Sequence, residues 1–94
     1  MKVTQLINNN GNPAANQFVI ANNGAVYFQS YSTMIAKVED GKLTLSSYWD
    51  YSKTTSKHLY IFLNMYGFGH LDSAVNVRRA IKNGTVSFVN VIDY

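Results

Sequence analysis

The sequence predicts an α+β domain: an antiparallel sheet of four to six strands, built from two hairpins and a C-terminal strand, with two helices packed on one face. Two pairs, Asn23-Gly24 and Asp40-Gly41, each divide two runs rich in β-branched and aromatic residues. From residue 54 to residue 83 the apolar residues recur at helical spacing, and residues 85–94 alternate again. The predicted order of elements is four strands, two helices and one strand, and the α+β prediction depends on this order.

The two pairs favour type I′ turns because both of their residues tolerate a positive φ, and such turns join the strands of a tight hairpin. In the second hairpin Glu39 then lies opposite Lys42, a favourable cross-strand charge pair. The opening VTQLI predicts a further short strand, and the Asn, Gly and Pro content of 8–16 predicts a loop. The expected hairpin strands are 17–22, 25–31, 33–39 and 42–47.

Side chains alternate between the two faces of a strand, so the pattern assigns a core face and an open face. Tyr27, Gln29 and Tyr31 share the side of their strand that we expect to face solvent or a ligand. The expected core positions are Phe18 and Ile20, Val26 and Phe28, and Leu43 and Leu45.

The first helix follows YWDYSK, with Thr54 or Thr55 as the expected N-cap and Gly67 as the C-terminal stop. The second helix is expected to begin at Asp72 or Ser73 and to end at Asn83-Gly84. The buried stripes are Leu59, Phe62, Leu63 and Tyr66 on the first helix, and Ala74, Val77 and Ile81 on the second.

Composition limits the classes of protein that fit. With 94 residues, 47% of them hydrophobic and 14% charged, the chain has material for one core, and we expect a single domain over residues 1–94. The absence of cysteine excludes disulfides, thiolate metal sites and cysteine nucleophiles. No segment has the length of a membrane span or the pattern of a signal peptide, so we expect a cytoplasmic protein without a membrane partner.

The segment 48–58 gathers aromatic, hydroxyl and basic groups around the expected start of the first helix. A helix start carries free N–H groups and a partial positive charge, both of which favour an anion. The alternative is that the hydroxyls only cap the helix and the aromatic rings only fill the core. The candidate ligand-binding residues here are Tyr51, Ser52, Lys53, Thr54, Thr55, Lys57 and His58.

A second basic group lies on the second helix, where Arg78 and Arg79 stand near Lys82. Guanidinium groups bind phosphates and carboxylates in a fork geometry, so Arg78 and Arg79 join the candidate site. The net charge of +3 permits an anionic partner without requiring one, and a solvated helix face is the alternative. Tyr27 and Tyr31 complete the candidate set because tyrosine offers a large amphipathic contact area.

Catalysis and metal binding have weaker signals. His58 and His70 are the histidines of the chain, and neither stands at a metal-ligand spacing or in a nucleophile motif. We therefore expect no catalytic residue, metal ligand or cofactor, and a binding protein in preference to an enzyme. A small hydrolase that uses His58 or His70 is the remaining enzymatic alternative.

The motifs NQFVI at 16–20, YFQSY at 27–31, and WDYS, TT, KHLY and FL between Trp49 and Leu63 resemble a family of small uncharacterised proteins from phages and mobile elements of gut bacteria. The resemblance carries no catalytic or ligand residue with it. It implies an accessory protein in an infected bacterial cytoplasm, with a counter-defence role. The expected partner is a nucleic acid or a nucleotide signal; an inhibitor or adaptor bound to a host protein is the alternative, and the sequence leaves room for a homo-oligomer.

Overall fold

The computed structural model describes residues 1–93, which form one sheet of six strands and two helices. The strand order β1 to β6 follows the chain, and the α+β fold class is confirmed. One correction concerns the sheet, which is mixed: β6 runs parallel to β5 because both helices lie between them and bring the chain back to the starting end of β5. The elements are β1 Lys2–Ile7, β2 Pro13–Asn22, β3 Ala25–Ser30, β4 Thr33–Glu39, β5 Lys42–Ser46, α1 Lys53–Met65, α2 Ala74–Asn83 and β6 Ser87–Val89.

Both predicted hairpin turns are confirmed by backbone angles. Asn23 and Gly24 have φ of 52° and 83°, and Asp40 and Gly41 have φ of 53° and 73°, as type I′ turns require. Glu39 and Lys42 are directly opposed, as predicted. The carboxylate of Glu39 nevertheless pairs with Lys37 on its own strand, at 3.1 Å.

The predicted core face is right for β3 and β5 and wrong for β2. Val19 of β2 pairs with Phe28 of β3 and joins the main core, whereas Phe18 and Ile20 lie on the other face. The alternation of β2 misleads because both faces of this strand carry apolar residues. A register shift in β4 gives Ile35 no partner on β3 and lets it share the main core with Ala36, as a β-bulge allows.

Both helices pack on this face, as predicted. Leu59, Phe62 and Leu63 of α1 are fully buried, and the ring of Phe62 stacks on Phe28 with 5.6 Å between ring centroids. Val77 and Ala80 of α2 lie in the same core. Gly67, with φ of 89°, and Gly84, with φ of 75°, end the two helices in the left-handed conformation, which confirms both predicted stops.

The opposite face of the sheet is covered in part. Ile20, Ala25 and Tyr27 form a second apolar cluster there with Ile92, which follows β6. The prediction that Tyr27 faces an open surface is therefore wrong: its side chain is 7% exposed, with the ammonium of Lys37 5.9 Å from the ring centroid. Ile92 therefore helps to cover a face of the sheet that the alternation of residues had predicted to face solvent.

The ends of the chain differ from expectation in length. The predicted first strand is confirmed as β1, but the expected loop 8–16 is shorter because Pro13–Asn16 already belong to β2. The last strand, predicted over 85–94, covers three residues as β6, and Tyr94 lies outside the described residues. In residues 1–93 no helix is long and apolar enough to cross a membrane.

Candidate functional site

The start of α1 is built by Ser52. Its backbone is extended, and its hydroxyl accepts a hydrogen bond from the Thr55 amide at 3.1 Å. The predicted caps Thr54 and Thr55 are therefore wrong by two or three residues: both lie inside the first turn. The amides of Lys53 and Thr54 precede the first intrahelical hydrogen bonds, so they are free to face a ligand or water.

Beneath this turn lies a buried cluster of polar side chains. The Ser30 and Thr55 hydroxyls are 3.0 Å apart, and the Ser52 hydroxyl donates to that of Thr55 at 3.2 Å. Gln17, directly opposite Ser30 in the sheet, is fully buried, and its Oε1 has no partner in residues 1–93. The contact between the Ser30 and Thr55 hydroxyls joins β3 to α1. The sequence analysis missed Gln17 and Ser30, for which a polar residue inside an apolar strand is the available signal.

A cavity of about 440 Å³ opens beside the cluster, and we call it the tyrosine pocket. Three tyrosines in its lining are exposed: Tyr31 is 56% exposed, Tyr51 is 77% exposed, and Tyr48 is also exposed. No charged side chain lines this pocket in the described part of the chain. The lining residues are Ser30, Tyr31, Ser32, Thr33, Ile35, Tyr48, Tyr51, Ser52, Thr54 and Thr55.

The lysines of the predicted site face a second cavity, the helix groove, of about 870 Å³. Ser52 lines both cavities, so they adjoin at the start of α1. Lys53 and Lys57 form no ion pair within residues 1–93. The groove is lined by Asn9, Asp50, Ser52, Lys53, Ser56, Lys57, Tyr60, Ile61, Asn64, Met65, Gly69, Asp72, Ala74 and Arg78.

The two arginines of the predicted site are separated. Arg78 lines the helix groove, where it pairs with Asp50 at 3.5 Å and lies 5.6 Å from the ring centroid of Trp49. Arg79 lines a different, shallow pocket and donates to Asn76 at 3.4 Å. Arg78 therefore already has a carboxylate partner in the helix groove, while Arg79 lines neither of the main cavities.

Two further side chains complete the electrostatics. Partial burial raises the pKa of Tyr60, against the opposing effects of Arg78 and of a hydrogen bond with Ser56, so this hydroxyl stays protonated at neutral pH. His58 is buried, its Nδ1 lies 2.7 Å from the Thr54 carbonyl one turn earlier, and its ring lines neither cavity, so the prediction of His58 as a ligand-binding residue is not supported by its position. His70 is exposed and lies beside Phe68.

The tyrosine pocket offers aromatic rings and hydroxyl groups, and the helix groove adds charged side chains. Neither histidine lines the tyrosine pocket or the helix groove as described for residues 1–93. In the same residues no group of three or more His, Cys, Asp or Glu side chains is placed to hold a metal ion. Of the predicted site, the structure brings Tyr31, Tyr51, Ser52, Thr54 and Thr55 together, with Lys53 and Lys57 alongside.

A family model covers this site together with most of the fold, since it matches residues 1–79. The chain belongs to DUF8033, a family of unknown function. The DUF8033 match includes all of the sheet except β6, and it includes α1 with both cavities described above. No curated protein and no solved structure significantly matches the chain.

Proposed function

We propose that the protein binds a nucleotide in the tyrosine pocket, with the base stacked on tyrosine rings and the phosphate near the start of α1. The observation that carries the proposal is the convergence of Tyr31, Tyr48 and Tyr51 with the hydroxyls of one helix start around a single cavity. Base stacking on an aromatic side chain contributes about 1–3 kcal/mol per base, and every base has a face to offer.

The geometry favours a compact ligand over a long nucleic acid. A pocket of about 440 Å³ is in the range that holds one small molecule. Only two unpaired cations of the described residues, Lys53 and Lys57, lie in the adjoining helix groove, because Arg78 there is paired with Asp50. Strong polyanion binders need many more phosphate contacts. A nucleotide signal is therefore the first candidate, and a short single strand the second.

The biological setting in the proposal rests on the sequence motifs. A small protein of a phage or mobile element, acting in the cytoplasm of a gut bacterium, would use such a pocket to capture a nucleotide signal of host defence. Counter-defence by sequestration needs a binding site and no catalytic group. The hydroxyls and aromatic rings that line the tyrosine pocket support this proposal because they offer hydrogen bonds and stacking surfaces.

The test is titration calorimetry with linear and cyclic mononucleotides, cyclic dinucleotides and short single-stranded oligonucleotides. Tyr51→Ala is expected to weaken binding by about tenfold, and Tyr51→Phe to keep most of it, because stacking needs the ring and not the hydroxyl. Tyr51 is 77% exposed, so neither change should disturb the fold. If the parent protein binds none of these ligands, the proposal is wrong.

Charge is tested separately with Lys53→Ala combined with Lys57→Ala. We expect weaker binding, because both lysines lie beside the helix start, and an unchanged melting temperature, because exposed lysines contribute little to stability. The matched control is Lys42→Ala with Lys82→Ala, which removes the same charge from exposed positions outside both cavities. Added salt should weaken binding mildly for a nucleotide and steeply for a polyanion.

A host protein is the second candidate partner, and the helix groove favours it. Its lining combines Ile61, Met65 and Ala74 with charges of both signs, a mixture common in protein interfaces. Met65→Lys should weaken such a complex while leaving nucleotide binding intact, since Met65 does not line the tyrosine pocket. A Met65→Lys variant that loses nucleotide binding would contradict this separation.

A further inference from the structure

The edge of the sheet at β1 exposes backbone and apolar side chains together. β1 pairs with β2 on one side only, so half of its N–H and C=O groups point away from the sheet. Val3 and Ile7 are 52% and 49% exposed, and by alternation they share one face, opposite the buried Leu6. An edge with these properties is a template for another strand.

We propose that a second copy of this chain pairs with β1, antiparallel and about a twofold axis through Gln5, so that the two sheets become continuous. A twofold axis perpendicular to the sheet keeps each residue on its own face, so opposed residues must be an even number of positions apart. Centred on Gln5, this register sets Val3 of each copy opposite Ile7 of the other copy, so two such apolar pairs form.

The register explains why the occupant is the chain itself. Apolar residues meet apolar residues and Gln5 meets Gln5, while Lys2 lies beyond the paired residues 3–7, so no two lysines are opposed. Like charges directly opposed would destabilise the pairing, and this arrangement avoids them. Shifted to centre on Thr4, the strands would set Val3 against Gln5 on both sides and lose the two apolar pairs.

The other end of the sheet is a poorer template. β6 has three residues and is held by the parallel pairing with β5. β1 has six residues, and in the sequence Lys2–Ile7 no proline interrupts its free edge. Pairing of residues 3–7 of two copies buries less surface than the roughly 1,000 Å² of a stable interface, so the association is weak and depends on protein concentration.

Sedimentation equilibrium tests the association, with the parent protein from about 1 µM to about 1 mM, the range of weak complexes. We expect a mass rising from 10.6 kDa towards twice that value. Val3→Lys should weaken the dimer by about tenfold or more, because it removes both apolar pairs. Val75→Lys is the matched control: it adds the same charge at an exposed position of α2 and should leave the dimer unchanged.

A cysteine cross-link tests the register, and the chain has no cysteine of its own to interfere. Opposed residues of antiparallel strands have Cα atoms about 4.5–5.5 Å apart, within the reach of a disulfide. Gln5→Cys should therefore form a covalent dimer on mild oxidation. Thr4→Cys should not, because its two copies would be roughly 8 Å apart, too far for a disulfide.

Salt separates this association from nucleotide binding. Two copies of charge +3 repel each other, so added salt should strengthen the dimer while it weakens the binding of an anion. A parent protein that stays at 10.6 kDa throughout, or a dimer that Val3→Lys leaves intact, would overturn the inference. Equal cross-linking of Gln5→Cys and Thr4→Cys would overturn the register. β1 lines no part of the tyrosine pocket, so these outcomes do not bear on the proposed function.

Discussion

Thr55→Val tests the polar cluster that fastens α1 to the sheet beneath the tyrosine pocket. The Thr55 side chain is fully buried, and its hydroxyl lies 3.0 Å from that of Ser30 and 3.2 Å from that of Ser52. Valine has nearly the same shape and is also β-branched, so the change adds neither a large cavity nor a new cost in the helix. It leaves the buried Ser30 hydroxyl without its partner, which costs about 1–3 kcal/mol of stability.

A double-mutant cycle with Ser30→Ala isolates the interaction. Removing both hydroxyls leaves neither member of the Ser30–Thr55 pair unsatisfied, so the double variant should lose less free energy of unfolding than the two single variants together, by about 1 kcal/mol or more. Urea unfolding followed by the fluorescence of the single, buried Trp49 gives these values. In thermal melting, each kcal/mol lowers the midpoint by roughly 4–8 °C in a domain of this size.

Thr54→Val is the control, because Thr54 is the preceding helical residue and its side chain is exposed. It should change stability by no more than about 0.5 kcal/mol. The reasoning fails if Thr55→Val is as mild as this control. It also fails if the cycle is additive, since the two hydroxyls would then not depend on each other.

Three other changes test the fold and the strain in the site. Phe62→Ala should cost about 3–5 kcal/mol in urea unfolding, because Phe62 is fully buried against Phe28, while Met65→Ala on the exposed side of α1 should cost little. Gly24→Val should lower the melting temperature although a Cβ meets nothing within 4 Å, because φ is 83°; an unchanged midpoint would contradict the turn. Tyr31→Asn should leave stability unchanged or raise it by up to about 1 kcal/mol, because asparagine tolerates the positive φ that Tyr31 adopts. The same change should weaken nucleotide binding because it removes the ring. A marked loss of stability would contradict the first expectation.

The sequence predicted those parts of the fold that local chemistry determines. The turns at Asn23-Gly24 and Asp40-Gly41, and the helix stops at Gly67 and Gly84, each depend on a residue that tolerates a positive φ. The turn between β3 and β4 carries no such residue at Tyr31, and the sequence analysis placed Tyr31 at the end of a strand instead. Turn chemistry is therefore predictable where the favoured residue is present, and not where tertiary contacts impose the conformation.

The faces of the sheet depended on information that one strand does not contain. Phe18 and Ile20 alternate as a core pair does, and Ile20 is indeed buried, but against Ile92 from the far end of the chain. Tyr27 was assigned to an open face for the same reason. Period two shows that two residues share a face, and the elements that cover each face come from elsewhere in the sequence.

The candidate site was predicted as far as it is contiguous in sequence. Tyr51, Ser52 and Thr55 fall within one turn of helix start, so their grouping follows from the chain alone. The division between an uncharged tyrosine pocket and a helix groove with lysines arises from the way β3, α1 and α2 pack. Gln17 stands out locally as a polar residue inside an apolar strand, but its position opposite Ser30 depends on the pairing of β2 with β3.

Backbone strain and the proposed ligand site coincide at Tyr31. Four residues other than glycine have a positive φ in residues 1–93, and three of them are asparagine or aspartate, which tolerate that conformation. Tyr31, with φ of 57°, is the exception, held by a hydrogen bond of 2.7 Å from its amide to the Asn16 carbonyl. A tyrosine in this conformation costs free energy, and Tyr31 is 56% exposed. Tyr31 also lines the tyrosine pocket with Tyr48 and Tyr51, so in the proposed complex the residue with this backbone conformation would contact the nucleotide.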